Sequence, residues 1–237
     1  MASYLINKAL LALTLVITTS IVTASPCQES NNKYEIYYTP EQFIPKIDFL
    51  REVYGKQKNI PETIELAALV ALSKFPELKD AKINFVIKTQ QEVMYMQPSP
   101  APFMSPKENR TFTVYVTDNN DVYEALVLSE IPFNALVGVI GHELSHVVDF
   151  YTKSKANFFF DNFRYALSKK HRAKVERTAD IMTLNHGLGY QLAHMREVYD
   201  QYLIVLPKTT RRLQHKSYLT YKEIIGYLEE GKEISKN

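Results

Sequence analysis

Two histidines four residues apart give the strongest chemical signal in this chain. They lie in the segment Gly141–Val148, which reads GHELSHVV and contains the pattern His-Glu-x-x-His. Positions i and i+4 share one face of a helix, so His142 and His146 can point at one metal ion. Glu143 follows the first histidine and can reach a water bound to that ion. The alternatives are a chance occurrence of the pattern and two core histidines without a metal.

A second motif supplies the third ligand that such a site needs. Catalytic zinc usually has three protein ligands and one open position. Downstream, the segment ERTAD places Glu176 and Asp180 four residues apart on another predicted helix. One carboxylate can bind the metal, while the other accepts a hydrogen bond from the outer nitrogen of a ligand histidine. A solvated acidic helix face is the alternative, and the preceding His-Glu-x-x-His helix outweighs it.

Other histidines are poorly placed to be ligands. His186 lies about 15 Å beyond Glu176 along a straight helix. His171 falls on roughly the opposite face of the helix that carries Glu176. A metzincin would have a histidine six residues after His146, where this chain has Thr152, so that class is excluded.

The pair HELSH and ERTAD resembles the gluzincin clan of zinc metallopeptidases, which includes thermolysin-like enzymes. The resemblance covers residues 134–187. It implies that His142, His146 and Glu176 are the zinc ligands and that Glu143 is the general base. It also implies that Asp180 stands behind a ligand histidine.

The resemblance further implies a mechanism and a substrate. Zinc lowers the pKa of its water, and Glu143 moves a proton from that water to the leaving amine. A peptide substrate would lie antiparallel along an edge strand, for which 111–117 is the candidate. Clan members stabilise the oxyanion with a histidine or tyrosine. The motif spacing leaves several candidates for that role: His186, Tyr190, His194, Tyr199 and His215.

Two rival functions stay open. The chain can be a non-catalytic, zinc-stabilised binding module on a peptidase scaffold, although Glu143 would then have no purpose. It can also be a hydrolase that cleaves a different bond with the same metal centre. Structural zinc sites more often use four ligands, commonly cysteines, and the one cysteine here is remote in sequence.

The pattern of apolar residues predicts an α+β fold with a mainly helical C-terminal part. The resemblance implies that the preceding small sheet is of the zincin type and is followed by the active-site helix. The predicted helices cover 40–54, 61–72, 134–151, 172–185, 190–204 and 220–231, and the predicted strands cover 83–88 and 111–117. Four prolines make 97–109 irregular, and this long loop can border the cleft.

Composition excludes some partners. The chain has 237 residues, of which 46% are hydrophobic, and a net charge of +2. It has no long basic run with interleaved aromatic residues, so no nucleic-acid partner is predicted. The short basic run 169–172 is interpreted as the solvated start of a helix.

The N-terminal segment has the layout of a signal peptide. One lysine precedes an apolar stretch from Ala9 to Val22, followed by small residues. We therefore expect residues 1–24 to be removed on export and residues 25–237 to form one metallopeptidase domain with two lobes. Membrane attachment would require an uncleaved segment or lipidation of Cys27, which Pro26 disfavours.

Overall fold

A computed structural model describes residues 37–90, 92–98, 109–118, 128–154, 164–165, 167–203 and 216–230. The signal-peptide segment and most of the proline-rich loop lie outside these residues. Described helices are α1 (Pro40–Phe43), α2 (Ile47–Tyr54), α3 (Glu65–Leu72), α4 (Phe133–Thr152), α5 (Lys169–Asn185), α6 (Gly189–Leu203) and α7 (Tyr221–Glu230). Described strands are β1 (Lys58–Asn59), β2 (Lys82–Ile87), β3 (Met94–Pro98) and β4 (Thr111–Val116).

The strands form one mixed sheet in the order β1-β2-β4-β3. β1, β2 and β4 are parallel, and β3 runs antiparallel to β4, with Met96 opposite Val114. Alternate residues of β2 and β4 are buried, as expected for strands with one face towards a core. This sheet and the helices confirm the predicted α+β class.

Helix α4 lies at the centre of the described packing. Almost every residue from Asn134 to Val148 is buried, because α4 packs against α3, α5, α6 and β3. α3 is also buried on all sides over Ala67–Leu72. The two histidines of α4 therefore lie within a well-packed core, which fixes the helix that carries them.

Glycine lets α4 and α6 approach closely. A Cβ on Gly138 would lie 2.3 Å from the backbone carbonyl of Gln191. Below 3.0 Å the backbones must move apart, so only glycine fits at this crossing.

Some predicted boundaries differ from the structure. The predicted helix 40–54 is broken by a 3-10 turn over Ile44–Lys46, because Pro45 cannot continue a helix in its interior. Gly55 ends α2, and Thr220 and Glu223 form the predicted capping box of α7. None of the described helices is long and apolar enough to span a bilayer.

The α4–α6 crossing can be tested with two glycine variants. Gly138→Ala should lower the free energy of unfolding by about 3 kcal/mol, because the added methyl group forces two backbones apart. The control is Gly226→Ala within α7, where an added Cβ meets no atom within 4 Å. That variant should be stabilised by about 0.5–1 kcal/mol. Urea unfolding followed by circular dichroism measures both; equal effects would contradict the close crossing.

Candidate metal centre

Helix α4 presents both motif histidines to one point. The rings of His142 and His146 are nearly perpendicular, with centroids 4.8 Å apart. Their Nε2 atoms lie 3.2 Å from each other. His142 is buried, and the His146 side chain is 11% exposed. The i, i+4 spacing therefore brings the two imidazoles together as the sequence predicts.

Helix α5 brings the third donor to the same point. Glu176 Oε2 lies 3.2 Å from the Nε2 atom of each histidine. A hydrogen bond of 2.9 Å between the hydroxyl groups of Ser145 and Thr183 also connects α4 to α5. The structure thus brings together two imidazoles and one carboxylate from two helices, with His146 and Glu176 30 residues apart in sequence.

The three donor atoms fit a metal ion. Two ligands about 2.1 Å from a tetrahedral ion lie about 3.4 Å apart. The observed distances of 3.2 Å among the three atoms are close to that value. Two imidazoles and a carboxylate are also a donor set that divalent transition metals accept. His142, His146 and Glu176 can therefore bind a metal ion.

Asp180 holds His142 from behind. Its Oδ1 accepts hydrogen bonds from His142 Nδ1 at 2.8 Å and from Arg196 at 2.6 Å. Its Oδ2 accepts one from the backbone N–H of Leu219 at 2.7 Å. Burial acts to raise the pKa of Asp180, but Arg196 and His142 outweigh it and hold the pKa below its usual value. This ionised carboxylate directs the Nε2 lone pair of His142 towards the centre.

Glu143 adjoins the centre without being one of the three clustered donors. It is buried, and burial raises the pKa of its carboxyl above the usual value. The nearby histidines and the backbone N–H of Met96 in β3 act in the opposite direction. Glu143 therefore interacts with both the donors and strand β3, and its carboxylate is not one of the three clustered donor groups.

Two tyrosines at the site were missed by the sequence reasoning. Tyr165 donates a hydrogen bond of 2.7 Å to Glu176 Oε1, the oxygen that faces away from the histidines. The ring of Tyr218 lies 5.7 Å from that of His142 and 4.6 Å from the Arg196 guanidinium. Burial raises the pKa of both phenols, as does the charge of Glu176. Neither tyrosine belongs to a spacing motif, so no sequence signal identified them.

Most residues considered for the oxyanion role are engaged elsewhere. His186 is hydrogen-bonded to Glu77 at 2.7 Å and stacks on Phe75. His194 pairs with Asn134. Within the described residues, Tyr190 has no hydrogen bond to the three metal-ligand candidates, Tyr199 interacts electrostatically with Arg196 and Tyr218, and His215 lies outside those residues. Asp149, three residues after His146, pairs with Lys153 on the last turn of α4.

The prediction of 111–117 as the edge strand is wrong. These residues form β4, which is paired on both sides, by β2 and by β3. Among the described strands, the edge strand next to α4 is β3, whose last two residues belong to the segment 97–109 that was expected to be irregular. Only five residues long, β3 lacks a clear alternation of apolar residues, which is why the sequence did not reveal it.

The chain matches no protein-family model, no curated protein and no solved structure. Its likeness to the gluzincin clan therefore depends on the two motifs and on the geometry that they adopt.

Substitution of Asp180 should affect both the metal and the fold. Asp180→Asn keeps the size of the side chain but removes the charge opposite Arg196 and leaves one acceptor oxygen for three donors, those of His142, Arg196 and Leu219. We expect a loss of about 3–5 kcal/mol in unfolding free energy. We also expect metal affinity to fall about 10–100-fold. Chemical unfolding of the metal-free chain and metal titration measure the two effects; unchanged stability would contradict the role of Asp180 in the fold.

Substitution of Tyr165 should affect the metal alone. Tyr165→Phe removes one hydrogen bond to Glu176 and leaves the ring in place, so the metal affinity should fall about tenfold. The free energy of unfolding of the metal-free chain should change by less than about 1 kcal/mol, because the pair is only partly buried. Competition with a chromophoric chelator measures the affinity. An affinity equal to that of the wild type would show that Tyr165 does not position Glu176.

Proposed function

We propose that this protein is a zinc-dependent peptidase of the gluzincin type. The observation that carries the proposal is the arrangement of three buried ligand atoms, 3.2 Å apart, beside a carboxylate that is not among them. Catalytic zinc sites have this composition of three nitrogen or oxygen ligands with one position left for water or substrate. Zinc is favoured over magnesium or calcium, which prefer a shell made of oxygen atoms.

Glu143 is proposed as the general base. Bound zinc supplies a Lewis acid that acidifies water and polarises a carbonyl. Glu143 takes one proton from the attacking water, whose oxygen forms the new bond to the carbonyl carbon. When the carbon–nitrogen bond breaks, Glu143 returns the proton to the leaving nitrogen. The buried setting of Glu143 raises its pKa and so improves it as a proton acceptor.

Strand β3 supports a peptide as the substrate. Among the described strands it is the edge strand next to Glu143, and the backbone N–H of its residue Met96 lowers the pKa of that carboxyl. An edge strand can bind an extended peptide through backbone hydrogen bonds, as in other cases of strand addition. A peptide aligned on β3 would bring a backbone carbonyl close to the base.

Tyr218 supports hydrolysis as well. Its ring lies beside His142, and its phenol is protonated at neutral pH, as an ordinary tyrosine is, with burial raising the pKa further. A protonated phenol near the ligands can donate a hydrogen bond to a carbonyl oxygen that gains negative charge. We propose Tyr218 for this role in place of the residues suggested by the sequence.

The rival binding-module function explains less. A zinc site that only stabilises the fold has no use for a buried carboxylate next to the ligands, since burial of an acid without a partner is costly.

We also propose that the protein is exported after removal of residues 1–24, and mass spectrometry of the mature chain would identify the new N-terminus.

Variants of the two glutamates distinguish zinc binding from peptide hydrolysis. Glu143→Gln should retain about one zinc per chain while peptide hydrolysis falls by about 10²–10⁴-fold, because only the base is lost. Glu176→Gln should weaken zinc binding itself, because a charged ligand is lost. Zinc content by atomic absorption and cleavage of a quenched-fluorescent peptide library measure the two properties side by side.

Glu52→Gln on the exposed face of α2 is the matched control, and should keep both zinc and activity. Full cleavage by Glu143→Gln would refute the peptidase assignment even if zinc is bound. Absence of cleavage by the zinc-loaded wild-type chain over the whole library would favour the binding module.

A further inference from the structure

A pocket of about 300 Å³ lies between α4 and α5, beside the metal centre. It shares the side chain of His146 with that centre. Its charged and titratable lining consists of His146, Asp149, Lys153, Arg164, His171 and Lys174. A cavity of this size can hold one amino-acid side chain together with ordered water.

The lining carries more positive than negative charge. Lys153 is paired with Asp149, at a distance of 2.5 Å between Nζ and Oδ2. Arg164 and Lys174 have no ion pair with any carboxylate in the described part of the chain. Two cationic side chains are therefore left to attract an anion into the pocket.

The metal centre does not need these cations for charge balance. It contains three carboxylates, those of Glu143, Glu176 and Asp180, and the guanidinium of Arg196. A divalent ion together with Arg196 balances the three carboxylates. The positive charge of Arg164 and Lys174 is consequently available to a ligand.

The pocket is within reach of a substrate at the centre. Among the described residues, all hydrogen bonds of the His146 ring involve Nε2, which faces the other donors, and the same ring forms part of the pocket wall. An extended peptide advances about 3.3 Å per residue. A side chain one or two residues from the scissile bond can therefore enter the pocket.

We propose that this pocket binds a carboxylate of the peptide substrate, with Arg164 and Lys174 as the specificity-determining residues. The inference rests on the proposed peptidase function, because it assigns the pocket to the substrate of that site. The carboxylate can come from an aspartate or glutamate side chain or from the C-terminus of the peptide. Val175 and Met182, which also line the pocket, can contact the methylene groups that carry a side-chain carboxylate.

Binding to a zinc-loaded Glu143→Gln full chain tests the pocket without relying on turnover. Short peptides with one glutamate at each position are compared with the matching glutamine peptides by calorimetry, each with a free and an amidated C-terminus. At the favoured position glutamate should bind about tenfold more tightly than glutamine, and salt should reduce the difference. If the C-terminus of the peptide supplies the carboxylate, amidation of the C-terminus should weaken binding, and replacement of glutamate by glutamine should not.

Charge reversal supplies the matched variants, each made in the Glu143→Gln chain. Lys174→Glu should abolish the preference for glutamate and favour a lysine peptide. Lys170→Glu changes the net charge equally on the same helix, at an exposed position that does not line the pocket. It should leave the preference intact.

Equal affinities for glutamate, glutamine and amidated peptides would overturn the inference. An equal effect of Lys170→Glu and Lys174→Glu would also overturn it, because the preference would then reflect net charge alone.

Cleavage by the wild-type chain is measured separately. Cleavage without a carboxylate preference would leave the proposed function standing, whereas a carboxylate preference without cleavage would overturn the peptidase function alone.

Discussion

Two imidazole nitrogens and one carboxylate oxygen lie 3.2 Å apart in a buried space, where the negative charge of Glu176 requires a positive partner, either a metal ion or a protonated histidine. Much of the surrounding structure can be understood as the means of holding them there. The rigid helix α4 fixes the two imidazoles, and α5 fixes the carboxylate. Two of the three donors are restrained further by a hydrogen-bonded group on the side away from the centre. Asp180 does this for His142, and Tyr165 does it for Glu176.

Asp180 connects this constraint to the rest of the fold. Its two oxygens accept hydrogen bonds from three elements: α4 through His142, α6 through Arg196, and the segment before α7 through Leu219. Arg177 adds a second link, since it pairs with Glu223 in the capping box of α7. The C-terminal helices therefore help to fix the orientation of His142, although they contribute none of the three donors themselves. This explains how a centre built from only two helices can depend on residues up to position 223.

The donor set was predictable from the sequence because helical geometry is local. A spacing of four residues places His142 and His146 on one face, and the same rule pairs Glu176 with Asp180. The long helices α4 and α5 were predicted within a few residues for the same reason. Strand β3 was not, because five residues with a terminal proline give no alternating pattern, and its position is set by pairing with β4. Tyr165 and Tyr218 reach the site through tertiary contacts, about which their neighbours in sequence carry no information.

The two sides of the proposed catalytic centre can recognise a substrate in different ways. Strand β3 adjoins Glu143 and offers backbone groups, which bind any extended peptide regardless of its sequence. The pocket beside His146 offers charged side chains, which distinguish one substrate residue from another. Backbone pairing would then supply most of the affinity and hold the scissile bond near the base. Selectivity would come from the pocket, so a change at Lys174 can alter which peptides are bound while the ligands and the base stay as they are.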